Sequence, residues 1–326
     1  MQQIKCRRLT ALAAFALAIF HSAACAVAAE RPAKLRTAYV SPIGAMAPLW
    51  MAAASSAFQG QVLDVELVYI QSNAAIAALV AGEVDAVQIS APAIVPVALA
   101  GGNVTMIAGL LNQMIFSFHA QKEIKSAEQL RGKIVGADRI GTPNDYGVRS
   151  ALTKLSLKPE IDVQLLRLGG SAIQWTALQS KQIAASALTP PVSFNADAQG
   201  YTRLADTYDL PYQNIGLVIR KTEVEKRAEI WLRLLRAVQR GINAWYDDPQ
   251  LSKSVLAKYT RDKDPAVLEK TYGFFTKQAG FNRDLTFTDR GFEQILRFFG
   301  STVLPAAKDA SPSQFYDTRI IDKLKK

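Results

Sequence analysis

From residue 35 onward the chain alternates short apolar runs with Ala-rich stretches whose apolar positions recur every three or four residues. Residues 35–40 have the length and apolar content of a buried strand. Ser41-Pro42-Ile43-Gly44 is a turn, and Pro48 suits the first turn of a helix reaching about Phe58. The pattern then predicts a strand over 64–70, a helix over 73–81 ended by Gly82, a strand over 84–89, a helix over 93–100 closed by Gly101-Gly102, and a strand over 104–110. Strands separated by helices of this length imply a parallel sheet with crossovers.

The same order returns further on, with strands over 133–137, 163–168 and 183–188 and helices after Thr142 and Ser171. The return is also a sequence repeat. Residues 72–92 read SNAAIAALVAGEVDAVQISAP, and residues 171–191, offset by 99, read SAIQWTALQSKQIAASALTPP. Ser72, Ala78, Leu79, Ala86 and Pro92 are identical to Ser171, Ala177, Leu178, Ala185 and Pro191. VELVYI before the first copy resembles VQLLRL before the second. A duplicated strand–helix–strand unit predicts two similar α/β lobes with a cleft between them. After residues 216–220 helices take over. Trp231, Leu234, Leu235, Val238, Ile242 and Trp245 mark one amphipathic face, Asp248-Pro249 and Asp264-Pro265 read as caps followed by proline, and a last helix spans about 289–299 and ends at Gly300. These helices are expected on the first lobe. The chain would then cross between lobes near 112–118 and 214–220. The expected boundaries are 1–29 for a signal peptide, 30–114 with 219–326 for lobe one, and 115–218 for lobe two.

The front end changes the picture of where the chain works. Lys5, Arg7 and Arg8 precede an apolar stretch of residues 9–20, too short to span a bilayer comfortably, and Val27-Ala28-Ala29 offers small residues for cleavage after Ala29. A competing cleavage before a lipidated Cys25 uses Ser22-Ala23-Ala24-Cys25, with Ser in a place that usually holds Leu or Val. Both cysteines, Cys6 and Cys25, lie within this segment, and a chain cut after Ala29 has none, which excludes disulfides and cysteine chemistry. Without Lys5, Arg7 and Arg8 the 326-residue chain keeps 35 basic against 28 acidic residues, a formal charge of +7. That balance favours acidic ligands, while the absence of a dense basic cluster with interleaved aromatics argues against nucleic acid. A periplasmic monomer is expected, with no cofactor and no metal.

In parallel sheets ligands sit beyond the carboxyl ends of the strands, where helix N-termini offer free N–H groups to anions. That rule selects Ser41, Gly44, Ala45, Asn73 and Ser90 in lobe one and Arg139, Thr142, Asn144, Ser171 and Thr189 in lobe two as candidate ligand-binding residues. Ser72 and Ser171 can equally cap their own helices. Arg139 can meet a carboxylate or sulfonate, or pair with Asp138 or Asp145. Tyr146 can stack on a ligand, while Trp175 reads as packing and His119 as structural. Glu83 and Asp85 read as solvated turn carboxylates, because the second copy holds Gln182 and Ala184 in their place. No catalytic constellation emerges: the chain has no Gly-x-Ser-x-Gly, no histidine pair at metal spacing and no phosphate-binding loop ending in Gly-Lys-Ser/Thr.

The order of ALVAGEVDAVQIS (78–90), LRGKIVGADRIGTPNDYGVRSAL (130–152) and residues 169–191 resembles the nitrate/sulfonate/taurine-binding group of ABC-importer solute-binding proteins, which shares its fold with thiamine-pyrimidine synthesis proteins. The resemblance covers about residues 35–245. Ala57-Phe58 departs from the glycine that often precedes this aromatic in the family, and Ala184 replaces its second-repeat Asp. The resemblance implies a two-lobed, periplasmic-binding-protein-like α/β fold with two interlobe crossings. It also implies a receptor that hands a small anionic solute to a membrane permease and its ATPase. The alternative is an enzyme or sensor on the same fold, such as a thiamine-pyrimidine-related protein. The family's pyrimidine-synthesis enzymes carry a cysteine-rich motif that a cysteine-free chain cannot match.

Overall fold

Two five-stranded sheets follow one plan in the computed structural model, which describes residues 30–325. The expected signal peptide and the alternative lipidation at Cys25 lie outside the described residues. The first sheet has the order β2-β1-β3-β10-β4, from β1 (Ala33–Tyr39), β2 (Leu63–Tyr69), β3 (Ala86–Ser90), β4 (Thr105–Gln113) and β10 (Pro211–Ile219). The second has the order β7-β6-β8-β5-β9, from β5 (Ser117–Ala120), β6 (Ile134–Ala137), β7 (Gln164–Arg167), β8 (Ala185–Leu188) and β9 (Thr202–Asp206). In each sheet the first three strands are parallel. One strand from a distant part of the chain, β10 or β5, runs antiparallel between the third strand and the outermost one. Helices α1 (Ala47–Ala54), α2 (Ser72–Ala81) and α3 (Val95–Leu99) connect the first set, and α4 (Pro143–Lys154), α5 (Ser171–Gln179) and α6 (Val192–Ala198) the second. The helix expected over 93–100 is thus a short 3-10 turn, Ala91–Ala93, followed by α3.

The repeat is exact in its backbone bonds. The carbonyl of Ala78 accepts from Glu83 N at 2.9 Å and Val84 N at 3.4 Å, and the carbonyl of Ala177 accepts from Gln182 N and Ile183 N at the same two distances. Gly82 turns the chain with φ 84°, and Lys181, its counterpart at the 99-residue offset, does so with φ 60°. Glycine adopts that left-handed conformation freely and lysine does not. The shared geometry is therefore imposed by the fold rather than by residue type. The N-caps are Gln71 and Gly170, so Ser72 and Ser171 are the first helical residues rather than caps.

The outward crossing lies between β4 and β5, at residues 114–116, and the return lies between β9 and β10, at 207–210. The sequence pattern puts the return at 214–220 and the end of lobe two at 218. Instead 211–219 belongs wholly to the first sheet. Gln213 and Asn214 disguise this strand as a loop, but their amides bond across it: Gln213 Nε2 to Asn112 Oδ1 at 3.0 Å and Asn214 Nδ2 to the Gln113 carbonyl at 2.9 Å.

The helices after β10 are α7 (Glu223–Lys226), α8 (Ala228–Asp247), α9 (Pro249–Thr260), α10 (Pro265–Gly273), a π-helical turn (Phe274–Gln278), α11 (Asp289–Thr302) and α12 (Arg319–Leu324). Asp248 caps α9 through Leu251 N, and Asp264 caps α10 through Ala266 N and Val267 N, each before a proline. The face of α8 bearing Trp231, Leu234, Leu235, Val238, Ile242 and Trp245 is fully buried, and α8 packs on α1 while α11 packs on β10, so these helices cover the first lobe. α11 runs past Gly300 to Thr302, and that glycine lies against Lys308, where a side chain would not fit. The same helices also touch the second lobe. The Phe298 ring is 5.0 Å from Tyr146, Phe274 is 6.1 Å from Phe194, and Asn195 Nδ2 donates to Asp262 Oδ2 at 2.7 Å. Among the described residues no helix is long and apolar enough to cross a membrane.

Candidate functional site

The loops at the carboxyl ends of β6, β7 and β8 are tied to one another. Thr142 caps α4, accepting from Asp145 N at 3.3 Å and donating to the Arg139 carbonyl at 2.9 Å. Asn144, 5% exposed, has no free capacity. Its Oδ1 accepts from Asp138 N at 2.8 Å and Gln174 Nε2 at 2.9 Å, and its Nδ2 donates to the Ala187 carbonyl at 2.7 Å and Gln174 Oε1 at 3.1 Å. Gln174 also reaches Gly169 O and Ser186 Oγ, so one amide pair joins all three loops. Ser171 and Thr189 meet each other: Ser171 Oγ accepts from Thr189 N at 3.2 Å and Thr189 Oγ1 at 3.1 Å. Arg139 is exposed and its guanidinium lies 3.9 Å from Asp138. Asp145 is fully buried and pairs with Arg149 at 3.1 Å and Arg167 at 2.5 Å, not with Arg139.

Lobe one differs. Gly44 and Ala45 are buried: Phe275 covers Gly44, where a Cβ would come within 2.5 Å of the ring, and the Ala45 carbonyl accepts from Gln88 Nε2 at 3.3 Å. Ser41 and Ser90 are half-buried, Asn73 is exposed, and the side chains of all three make no hydrogen bond to the described residues. This edge of lobe one therefore keeps open polar groups, whereas lobe two has spent most of its own.

Sequence reasoning passed over the aromatic rings at the same edge. Tyr39 and Tyr69 are register partners at the ends of β1 and β2, with ring centroids 5.7 Å apart. Tyr259, in the last turn of α9, lies 6.0 Å from Tyr39 and stacks at 4.5 Å on the buried Trp50 of α1. The signal was present for Tyr39 and Tyr69, since each ends a strand just before a selected loop, but not for Tyr259, which lies in a helix. Trp175 and Tyr146 pack, on Tyr201 at 4.9 Å and on Tyr212 at 5.2 Å. Burial pushes the Tyr146 phenol up. Asp85 is not a solvated turn carboxylate. It accepts from Arg36 N at 2.8 Å and binds Arg227 at 2.6 Å, contacts that Ala184 cannot reproduce in the second copy.

His119 is fully buried with Nε2 2.8 Å from Asp197 Oδ1, and Arg203 also reaches Asp197. Burial opposes the charge on Asp197, but the hydrogen bonds from His119 and Arg203 override it and hold its carboxyl below the usual range. A surface hollow of about 540 Å³ is lined by Val224, Ala228, Arg319 and Lys323. It follows the end of β10, which pairs with the start of β3, so it lies at the opposite edge of the sheet from the selected loops. Its Arg319 is already paired with Glu225 and Asp317. Among the described residues no group of three or more His, Cys, Asp and Glu side chains could hold a metal ion.

Two α/β lobes of matched topology, joined by two crossings and backed by C-terminal helices, define the two-lobed fold of periplasmic binding proteins. Within that class the chain belongs to the NMT1/THI5-like family, whose model matches residues 44–252. A protein from Bordetella bronchiseptica RB50 is similar in structure with TM-score 0.71 and 22% identity, over 90% of this chain and 97% of that one. The zinc-bound ligand-binding component of an ABC-type import system from Staphylococcus aureus has TM-score 0.71 and 16% identity, over 90% and 99%. The periplasmic aliphatic sulphonate-binding protein SsuA from Escherichia coli has TM-score 0.67 and 18% identity, over 82% and 85%. Among curated proteins none matches the chain by sequence.

Proposed function

We propose that this protein is an extracytoplasmic receptor that captures a small anionic solute, of the sulfonate, taurine, nitrate or aromatic acid class, between its lobes. It delivers that solute to the permease and ATPase of an ABC importer. The observation that carries this reading is the pair of matched sheets joined by two short crossings, with selected loops of both lobes at strand ends. Family membership and structural neighbours that are binding components of import systems support it. The leader expected over residues 1–29 and the mature chain's freedom from cysteine fit an exported protein. In this reading Ser41, Asn73 and Ser90 contribute side-chain hydrogen bonds to the ligand, while Gly44 and Ala45 shape the loop beneath them. Arg139 supplies charge from lobe two, and Thr142, Asn144, Ser171 and Thr189 hold the opposing loops in place. In this reading the residues act by binding alone.

A thermal-shift screen over nitrate, taurine, alkanesulfonates and aromatic acids tests the reading, because a ligand that binds only the folded state raises the melting temperature by mass action. One class should produce a saturable rise. Steady release of a chemically changed product would instead favour an enzyme on this fold.

A further inference from the structure

We propose that the carboxyl-end edge of lobe one carries a subsite for a planar aromatic anion, built from Tyr39, Tyr69, Tyr259 and Arg261. The proposal deepens the receptor reading and rests on it. Tyr39 is the hub, with its ring at 5.7 Å from Tyr69, 6.0 Å from Tyr259 and 5.5 Å from Trp50. Trp50 is fully buried and fixes the platform from below, while Tyr69 keeps 51% of its surface exposed and offers a ring to stack on. The hydroxyls of Tyr39, Tyr69 and Tyr259 make no hydrogen bond to the described residues.

Burial, the neighbouring Tyr69 and the opposing charge of Arg261 act together on the Tyr39 phenol, with a net rise. Burial and Tyr39 raise Tyr259 likewise. The phenols near Arg261 therefore stay protonated at neutral pH and can donate to an acceptor. Arg261 is exposed and makes no ion pair or hydrogen bond among the described residues. The adjacent Asp262 is turned away, accepting from Asn195 and from Asp264 N. Donors and a cation beside exposed ring surface match a carboxylate or sulfonate carried on an aromatic ring.

Arg261 ends α9 with φ 61° and ψ 13°, the left-handed conformation that favours glycine. One further observation separates this cluster from ordinary packing. The duplication supplies an internal control: the terminal register pair Tyr39–Tyr69 of β1 and β2 corresponds to Ala137–Arg167 of β6 and β7. The frame does not require aromatics at these positions, so the pair belongs to lobe one alone.

Isothermal titration of the purified protein with benzoate, 4-hydroxybenzoate and benzenesulfonate, against taurine, ethanesulfonate and nitrate, tests the subsite. At least one aromatic probe should bind about tenfold more tightly than every non-aromatic one, and Tyr69→Ala should weaken it about tenfold, with Tyr69→Phe intermediate. Arg261→Gly should lose about tenfold in affinity while its melting temperature holds or rises, because glycine relieves the left-handed strain. A fall in melting temperature with unchanged affinity would assign Arg261 a structural role and overturn the subsite. So would aromatic binding indifferent to both Tyr69→Ala and Arg261→Gly. Tighter binding of taurine, ethanesulfonate or nitrate overturns the aromatic subsite and leaves the receptor standing, whereas no binding by any probe counts against both. Turnover of an aromatic probe that depends on Tyr69 and Arg261 supports the subsite and counts against the receptor reading alone.

Discussion

Two asparagines chosen by the same strand-end rule have opposite roles. Asn144 is buried with every donor and acceptor engaged, whereas Asn73 is exposed and unbonded. Asn144→Ala should therefore cost about 2 kcal/mol of stability, since it strands Gln174 and two backbone groups. Asn73→Ala should stay within about 0.5 kcal/mol in urea unfolding, yet weaken ligand binding by about 1 kcal/mol when titrated with whichever probe binds. If Asn144→Ala unfolds like the native protein, the amide clamp is not holding the loops. The sequence located both residues but could not divide them between structure and binding. That division depends on Gln174, thirty residues beyond Asn144, and on no local pattern. Likewise no local pattern shows that Asp145 pairs with Arg149 and Arg167 rather than with Arg139.

At the scale of elements, periodicity found most helices and strands of the two lobes, but not β5 or α6, which are too short to show a period. It failed where polar residues enter a fully buried strand, as Gln213 and Asn214 do in β10, and where a π-helical turn interrupts the helical pattern at Phe274–Gln278. That turn places Phe275 over Gly44. Gly44→Ala should cost about 1–3 kcal/mol by overpacking, and the penalty should shrink in a Phe275→Ala background if the two residues are coupled. The pairing of β5 with α6 through His119 and Asp197 makes a different prediction. A carboxyl with a lowered folded-state pKa stabilises the protein above its ordinary value of about 3.9, and that contribution is lost as pH falls through the lowered value. Asp197→Asn should be less stable than the native protein at pH 7, and its stability should fall less on acidification below about pH 4. Equal slopes in urea titrations across that acid range would remove Asp197 from the account.

For the whole molecule, the repeat made the two-lobed architecture legible, because a 99-residue offset with matching strand order leaves few other arrangements. The interlobe contacts were not legible. They come from Phe274, Phe298 and Asp262, which lie outside the duplicated segment. A bound ligand at a hundred times its dissociation constant should add about 2.7 kcal/mol to unfolding stability, read as a concentration-dependent rise in urea midpoint. The placement of β10 has a consequence for synthesis. Until residue 211 leaves the ribosome, the first sheet has an open slot between β3 and β4, although the second sheet already has all five of its strands. Lobe one, begun first, is therefore finished last, and the pairing of β10 joins residues about a hundred positions apart, a topology that folds slowly. Nascent chains arrested with β9 emerged but residue 211 still inside the ribosome should leave lobe two protease-resistant and lobe one digestible. A chain that withholds its first lobe until most of it has been made stays threadable for most of its synthesis.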